Sequence, residues 1–227
     1  MKKNIPNAIT CCNLLSGCVS VTMAFEGDME MAFLFIIIGS LFDFCDGMVA
    51  RLLHVGSSIG KELDSLADCV TFGVAPSTMV YGTLQMLTEN ELLPYVAFLM
   101  AAFSALRLAK FNLDERQTTS FIGLPTPSNA LFWASLVVGF SDEIIASRSF
   151  ALFMICILVL VSCYLLIAEI PMFSLKFKHY GWKGNEVKYI LLATSVVLIA
   201  IFFEKSLAIV IAWYVVLAII SNVISKK

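Results

Sequence analysis

Long apolar stretches separated by short polar joints make up almost the whole chain. A helix needs about 20 apolar residues to cross the ~30 Å hydrocarbon core of a bilayer. On that criterion eight spans are expected, at 5–25, 31–53, 60–87, 92–108, 121–140, 150–173, 189–203 and 207–224. The joints include an acidic turn at 26–30, an acidic loop at 88–91, a short loop at 141–149 and a tight hairpin at Glu204-Lys205. Pro76 inside the third span predicts a kink, whereas Pro125 and Pro127 suit the start of the fifth helix. The first span has a basic start, as a signal peptide would. However, Asn7, Thr10, Asn13 and Ser16 interrupt its apolar run and no small-residue cleavage site precedes Glu26, so a retained span is expected.

Composition agrees with that pattern. Of 227 residues, 59% are hydrophobic and 14% charged, which excludes an ordinary soluble core. The expectation is an all-α polytopic membrane bundle forming one domain, 1–227. The seven cysteines (11, 12, 18, 45, 69, 156 and 163) lie in or beside apolar stretches without a C-x-x-C pair, so they read as small buried residues rather than a disulfide framework.

The net charge of −2 matters less than its placement. With eight spans, Lys2, Lys3, Arg51, Lys61, Arg107, Lys110, Arg116, Lys176, Lys178, Lys183, Lys188, Lys226 and Lys227 share one side, which is thirteen of the fifteen basic residues. Only Arg148 and Lys205 fall on the other. The positive-inside rule then puts both termini in the cytoplasm, and a bacterial inner membrane is the expected location. No nucleic-acid partner is expected. His54 and His179 read as lone interfacial loop residues, and Tyr180 and Trp182 as interface anchors.

Against this apolar background four aspartates concentrate between 43 and 68. Asp43 and Asp46 are three apart on one helix, and Asp64 and Asp68 four apart on the next, so each pair shares a face. The turn-prone Gly56-Ser57-Ser58 lies between, allowing two antiparallel helices to aim all four carboxylates into one space. Such a cluster must be partly protonated or neutralised by a cation. Its all-oxygen donor set favours a hard ion such as Mg²⁺, Mn²⁺ or Ca²⁺ over zinc, and four carboxylates suffice for two ions. Gly47, Ala50 and Gly60 leave room for a ligand to approach the backbone, and Arg51 is placed to pair with a phosphate. The plainer reading makes the acids structural partners of Lys61 and Arg51. Acids inside a membrane segment are costly, about 2.5–3.5 kcal/mol each on insertion scales, and usually mark function.

The run D-x2-D-G-x2-A-R-x8-G-x3-D-x3-D, filled at every fixed position, resembles the signature of the CDP-alcohol phosphotransferases. That resemblance implies displacement of CMP from a CDP-linked lipid by a second alcohol. It further implies two divalent cations, Mg²⁺ or Mn²⁺, on Asp43, Asp46, Asp64 and Asp68, with Asp68 accepting the proton of the attacking hydroxyl. Gly47, Arg51 and Ser57 would contact the CDP moiety, and homodimers are common in the family. Asn7 and Thr10 are one turn apart, which suits either a ligand-facing pair or a polar helix–helix contact. Pro6-Asn7-Ala8-Ile9-Thr10 is similar to the family's first-helix start and favours the ligand.

The signature does not identify the acceptor. Arg107, Lys110 and Asn112 stand at the end of the fourth span, where a cation would hold an acceptor carboxylate or phosphate or would simply follow the positive-inside bias. Phe72-Gly-Val-Ala-Pro-Ser77, Arg107-Leu-Ala-Lys-Phe-Asn112 and Phe121-Ile-Gly-Leu-Pro-Thr-Pro127 resemble runs of the phosphatidylserine synthase branch, although Lys110 stands where that branch usually has Arg. The likeness covers about 5–128. It implies that CDP-diacylglycerol and L-serine are the substrates, phosphatidylserine and CMP the products, and membrane lipids the surroundings. Glycerol 3-phosphate or inositol as acceptor is the alternative within the same chemistry, and a cation transporter is a remote one.

Overall fold

The computed structural model describes residues 4–55, 57–114, 121–173, 181–182 and 185–225. Gly56, Arg116, His179, Tyr180 and the basic residues Lys2, Lys3, Lys176, Lys178, Lys183, Lys226 and Lys227 lie outside the described residues.

Helices α1 (Asn4–Glu26) and α2 (Met29–Leu52) form a hairpin. Gly27, at φ +84°, supplies the left-handed residue that ends α1. The Asp28 carboxylate then caps α2 by accepting from the Met31 amide at 3.0 Å. The buried face of α1 is its polar one, with Thr10, Asn13, Ser16 and Ser20 inside, while Ile5, Leu15 and Phe25 face outward. That inversion suits a helix whose solvent is lipid.

The third predicted span is a compound element. Helix α3 (Ser58–Asp68), capped by Ser57 Oγ accepting from the Gly60 amide at 3.0 Å, passes into a π-helical turn (Cys69–Val74) and then α4 (Ala75–Leu87). The expected disturbance near Pro76 therefore appears as a π turn just before the proline. Here Ala75 N–H donates to Val70 and the hydroxyls of Ser77 and Thr78 donate to the carbonyls of Gly73 and Val74. Thr71 of the π turn is wedged between the first two helices. A Cβ on Gly17 would lie 2.4 Å from Thr71 Oγ1, and one on Gly39 2.5 Å from Thr71 Cγ2. The Thr71 hydroxyl also donates to the Asn13 carbonyl at 3.0 Å.

A 3₁₀ segment (Leu93–Phe98) leads into α5 (Leu99–Leu113), which carries the fourth helix past its expected end at 108, so that Lys110 and Asn112 join Arg107 on it. Helix α6 (Thr126–Gly139) starts at the predicted prolines. The region 141–149, expected as a loop, instead contains short helix α7 (Ser141–Ala146) and the start of α8 (Arg148–Ile167). Helix α8 stops at Ile167, six residues before the expected end. The chain then turns so that β2 (Pro171–Met172) pairs antiparallel with β1 (Phe121–Ile122). Gly123 makes this approach possible: it has φ +76°, and a Cβ there would sit 2.8 Å from the Leu166 carbonyl oxygen.

Helices α9 (Glu186–Phe202) and α10 (Ser206–Ser225) form the final hairpin around the predicted Glu204-Lys205 turn. Ser135 pins it, donating to the Glu204 carbonyl at 2.7 Å and accepting from the Ala208 amide at 3.1 Å. Lys205 pairs with Glu143 and holds that carboxyl below its ordinary range. At the other end Tyr214 and Asn222 donate to the carbonyls of Phe173 and Pro171.

The apolar core is centred on Trp133, Phe72, Ile36, Met79, Leu84 and Met100, with Trp133 Nε1 donating to Ser162 Oγ at 2.9 Å. Large apolar side chains such as Leu41, Phe44, Phe153, Leu160 and Val196 cover the outside. Five segments are long and apolar enough to cross a membrane: Asn4–Glu26, Met29–Leu52, Leu93–Leu113, Arg148–Ile167 and the hairpin Glu186–Val223. All seven cysteines are free, but only Cys163 is buried, and Cys11 and Cys18 are exposed on the apolar surface.

Candidate active site

The predicted carboxylates converge from α2 and α3. Asp43, Asp64 and Asp68 each offer an oxygen, and these oxygens all lie within 4.8 Å of one another. The period of α2 carries Asp43 toward α3, and the four-residue spacing of α3 stacks Asp64 and Asp68 on the facing side. Three carboxylates this close repel each other, and a hard cation relieves that repulsion while accepting their oxygens. Asn13 strengthens the fit. Its Nδ2 donates to Asp68 Oδ1 at 3.1 Å, while its buried Oδ1 has no partner among the described residues. An unpaired amide oxygen on a side chain bonded to Asp68 suits an oxygen-seeking ion.

Asp46 stands apart from the trio. Its Oδ2 accepts from Thr10 Oγ1 at 2.6 Å, and the carboxylate is 6% exposed. It still belongs to the same site, because a cavity of about 300 Å³ runs along it and Asp64. Pro6, Asn7, Thr10, Gly47, Ala50, Val55, Ser57, Gly60 and Lys61 complete the lining. Six of the seven expected nucleotide contacts are thus brought together. The small residues make the hollow: an added Cβ on Gly47 would meet nothing within 4 Å, whereas one on Gly60 would lie 3.0 Å from both Asn7 Oδ1 and Ser57 Oγ. Arg51, the seventh, is exposed on the last turn of α2 outside this lining. The cation in the lining is Lys61, whose Nζ donates to the Asn112 carbonyl at 2.9 Å.

The three residues proposed for the acceptor part company. Arg107 is 7% exposed, its Cζ lies 5.9 Å from the Phe111 ring centre, and its Nη1 makes a long 3.5 Å contact with Thr126 Oγ1. Lys110 is exposed, and Asn112 is tied to α3 through Nδ2 donating to Ser65 Oγ at 2.8 Å.

Asn13 and Lys61 are the site residues that the motif did not single out. Asn13 was visible as the next step of the Asn7–Thr10 stripe, three residues on. Lys61 occupies an unspecified position of the signature, so no pattern pointed to it.

A family model described as CDP-alcohol phosphatidyltransferase matches residues 3–167, which include all of these elements through α8. The chain is 41% identical over 127 residues to CDP-diacylglycerol–serine O-phosphatidyltransferase of Bacillus subtilis (strain 168), covering 54% of this chain and 69% of that one. It is 33% identical over 175 residues to the Mycobacterium leprae (strain TN) protein of the same name, covering 74% and 57%. It is 32% identical over 149 residues to an archaetidylserine synthase of Methanothermobacter thermautotrophicus, covering 63% and 62%. The chain therefore spans less than two thirds of the last two relatives.

Proposed function

This chain belongs to the CDP-alcohol phosphatidyltransferase family, and on that premise we propose that it transfers a phosphatidyl group from CDP-diacylglycerol to the hydroxyl of L-serine, giving phosphatidylserine and CMP. The observation that carries the reading is the Asp43–Asp64–Asp68 cluster beside a cavity lined by small and hydroxyl residues. The names of the similar proteins support serine as acceptor.

Two divalent cations, Mg²⁺ or Mn²⁺, would be held by Asp43, Asp64 and Asp68, with Asp46 alongside, and would supply charge neutralisation at the pyrophosphate. Asn7, Thr10, Ser57 and Lys61 would hold the CDP portion through hydrogen bonds and charge. Gly47, Ala50 and Gly60 would let it lie against the helices, with Arg51 at the mouth. Asp68 would take the proton from the serine hydroxyl as that oxygen forms its bond to the phosphatidyl phosphorus. The phosphorus–oxygen bond to CMP breaks in the same displacement, and its electron pair leaves on the CMP phosphate. Asn13 would keep the Asp68 oxygens oriented. No covalent enzyme intermediate is required.

We also propose that eight helical segments cross the membrane: α1, α2, the α3–π–α4 unit, α5 with its 3₁₀ lead, α6, α8, α9 and α10. The distribution of basic residues supports cytoplasmic termini and a cytoplasmic site in an inner membrane.

The deciding experiment is CMP release by the purified protein from CDP-diacylglycerol with Mn²⁺ or Mg²⁺, with and without L-serine. Serine-dependent release that EDTA stops is the expected result. Release that ignores serine but responds to glycerol 3-phosphate or inositol would overturn the choice of acceptor while keeping the chemistry.

A further inference from the structure

Four of the five buried side-chain polar atoms that lack a partner among the described residues belong to residues not yet given a polar role at the carboxylate cluster. They are Ser104 Oγ, Arg107 Nε and both amide atoms of Asn129. Buried polar groups in folded proteins are nearly always paired, so an unpaired set in one region calls for a ligand or for water. Ser104 and Asn129 are both 0% exposed. Ser104 lies one turn before Arg107 on α5, and Asn129 lies one turn after Thr126 on α6.

The Arg107–Thr126 contact sets the end of α5 against the start of α6. One turn from that contact along each helix stand Ser104 on α5 and Asn129 on α6. Gly73 forms the adjoining wall, since a Cβ there would be 3.1 Å from the Ser104 Cβ. Gly73 belongs to the π turn that follows Asp68, so this polar region adjoins the site already described.

We propose that Asn129, with Ser104, forms the part of the acceptor pocket that recognises the ammonium group of a small α-amino acid, while Arg107 takes its carboxylate. The inference rests on serine being the acceptor. The charge count supports an amino acid. Arg107 is the only basic side chain in the buried class among the described residues, which matches one carboxylate and leaves a dianionic phosphate undercompensated. Asn129 Oδ1 and the Ser104 hydroxyl oxygen are neutral acceptors suited to an ammonium, which leaves the carboxylate to the Arg107 guanidinium. A site built around such groups discriminates strongly against an analogue that leaves them unpaired.

The test compares L-serine with two truncated alcohols, 3-hydroxypropionate lacking the ammonium and ethanolamine lacking the carboxylate, in CMP release from CDP-diacylglycerol. The unmodified protein should prefer L-serine to each by at least about tenfold in kcat/KM. Asn129→Leu should raise the serine KM by about tenfold or more and abolish the preference over 3-hydroxypropionate, keeping that over ethanolamine. Its CDP-diacylglycerol KM should stay within about twofold. Arg107→Ala should do the reverse, abolishing the preference over ethanolamine. Ser104→Ala provides a second, smaller cut if Asn129→Leu fails to fold, with a rise in serine KM expected.

Normal serine dependence with unchanged selectivity in the variants would overturn the pocket alone, leaving water to satisfy these atoms. Loss of both substrates' KM in parallel would likewise assign Asn129 to packing. Absence of serine-dependent release by the unmodified protein would overturn the acceptor reading itself.

Discussion

Asn13 Nδ2 donates to Asp68 Oδ1 at 3.1 Å, joining the first helix to the carboxylate assigned as the base. The bond spans 55 positions of sequence, and the other amide atom, Oδ1, has no partner among the described residues. Asn13→Ala removes both functions. Activity should fall by about 10- to 100-fold, the usual cost of losing a group that orients a metal ligand. The divalent-ion concentration needed for half-maximal CMP release should rise with it. A Mn²⁺ titration of the variant checks this, and an unchanged midpoint would make Asn13 a packing residue.

Asp68→Asn keeps shape and hydrogen bonding while removing the proton acceptor. Turnover should drop by at least about 10²–10⁴-fold, the range that general base catalysis contributes. Binding of CDP-diacylglycerol should largely persist. Near-normal turnover would remove Asp68 as the base, and equilibrium binding of the CDP-lipid provides the second readout.

Two glycines should respond oppositely. Alanine at Gly17 would drive a methyl to 2.4 Å from Thr71 Oγ1 and 2.8 Å from Thr71 Cα, so the helices must separate. A loss of about 1–3 kcal/mol is expected from that overpacking, measured by unfolding in detergent. Gly47→Ala meets no protein atom within 4 Å, so its stability should hold or rise by about 0.5–1 kcal/mol through helix propensity. Because Gly47 lines the cavity, its penalty should appear in the CDP-diacylglycerol KM. A stable Gly17→Ala protein, or an unchanged KM for Gly47→Ala, would contradict these placements.

Thr10→Val leaves Asp46 Oδ2 without the 2.6 Å donor it has now. An unsatisfied buried group costs about 1–3 kcal/mol, more when it is charged. Thr10→Val should therefore lower the unfolding midpoint and weaken CDP-lipid binding, whereas Thr10→Ser, which keeps the hydroxyl, should restore both. Failure of Ser to rescue would mean that the Thr10 methyl, not its hydroxyl, matters.

Several elements are legible in the sequence because they depend on local rules. The α1–α2 hairpin follows from two apolar runs broken by the acidic turn at 26–30, and the structure adds the Gly27 stop and the Asp28 cap that close it. The convergence of Asp43, Asp64 and Asp68 follows from helical periodicity across a short turn. Asp46 was less predictable. It shares a face with Asp43 only approximately, and the partner that draws it aside, Thr10, is 36 residues away. Likewise Arg107, Lys110 and Asn112 form one run in sequence, but helix geometry separates them into a buried cation, an exposed one and an amide engaged with Ser65.

By itself the sequence determined the membrane class, the order of helices and the acidic helix pair, because hydropathy and periodicity act over a single helix. Tertiary structure decided where the α8 chain leaves its helix, since the 121–122 and 171–172 strands supply backbone partners from distant segments. It also decided that Asn13 serves Asp68, that Lys61 rather than Arg51 lines the cavity, and that Ser104, Arg107 and Asn129 have atoms unpaired among the described residues. These outcomes depend on which helices meet and at what depth. A buried polar atom is satisfied or orphaned by its neighbours in space, and those neighbours are fixed only when the bundle packs.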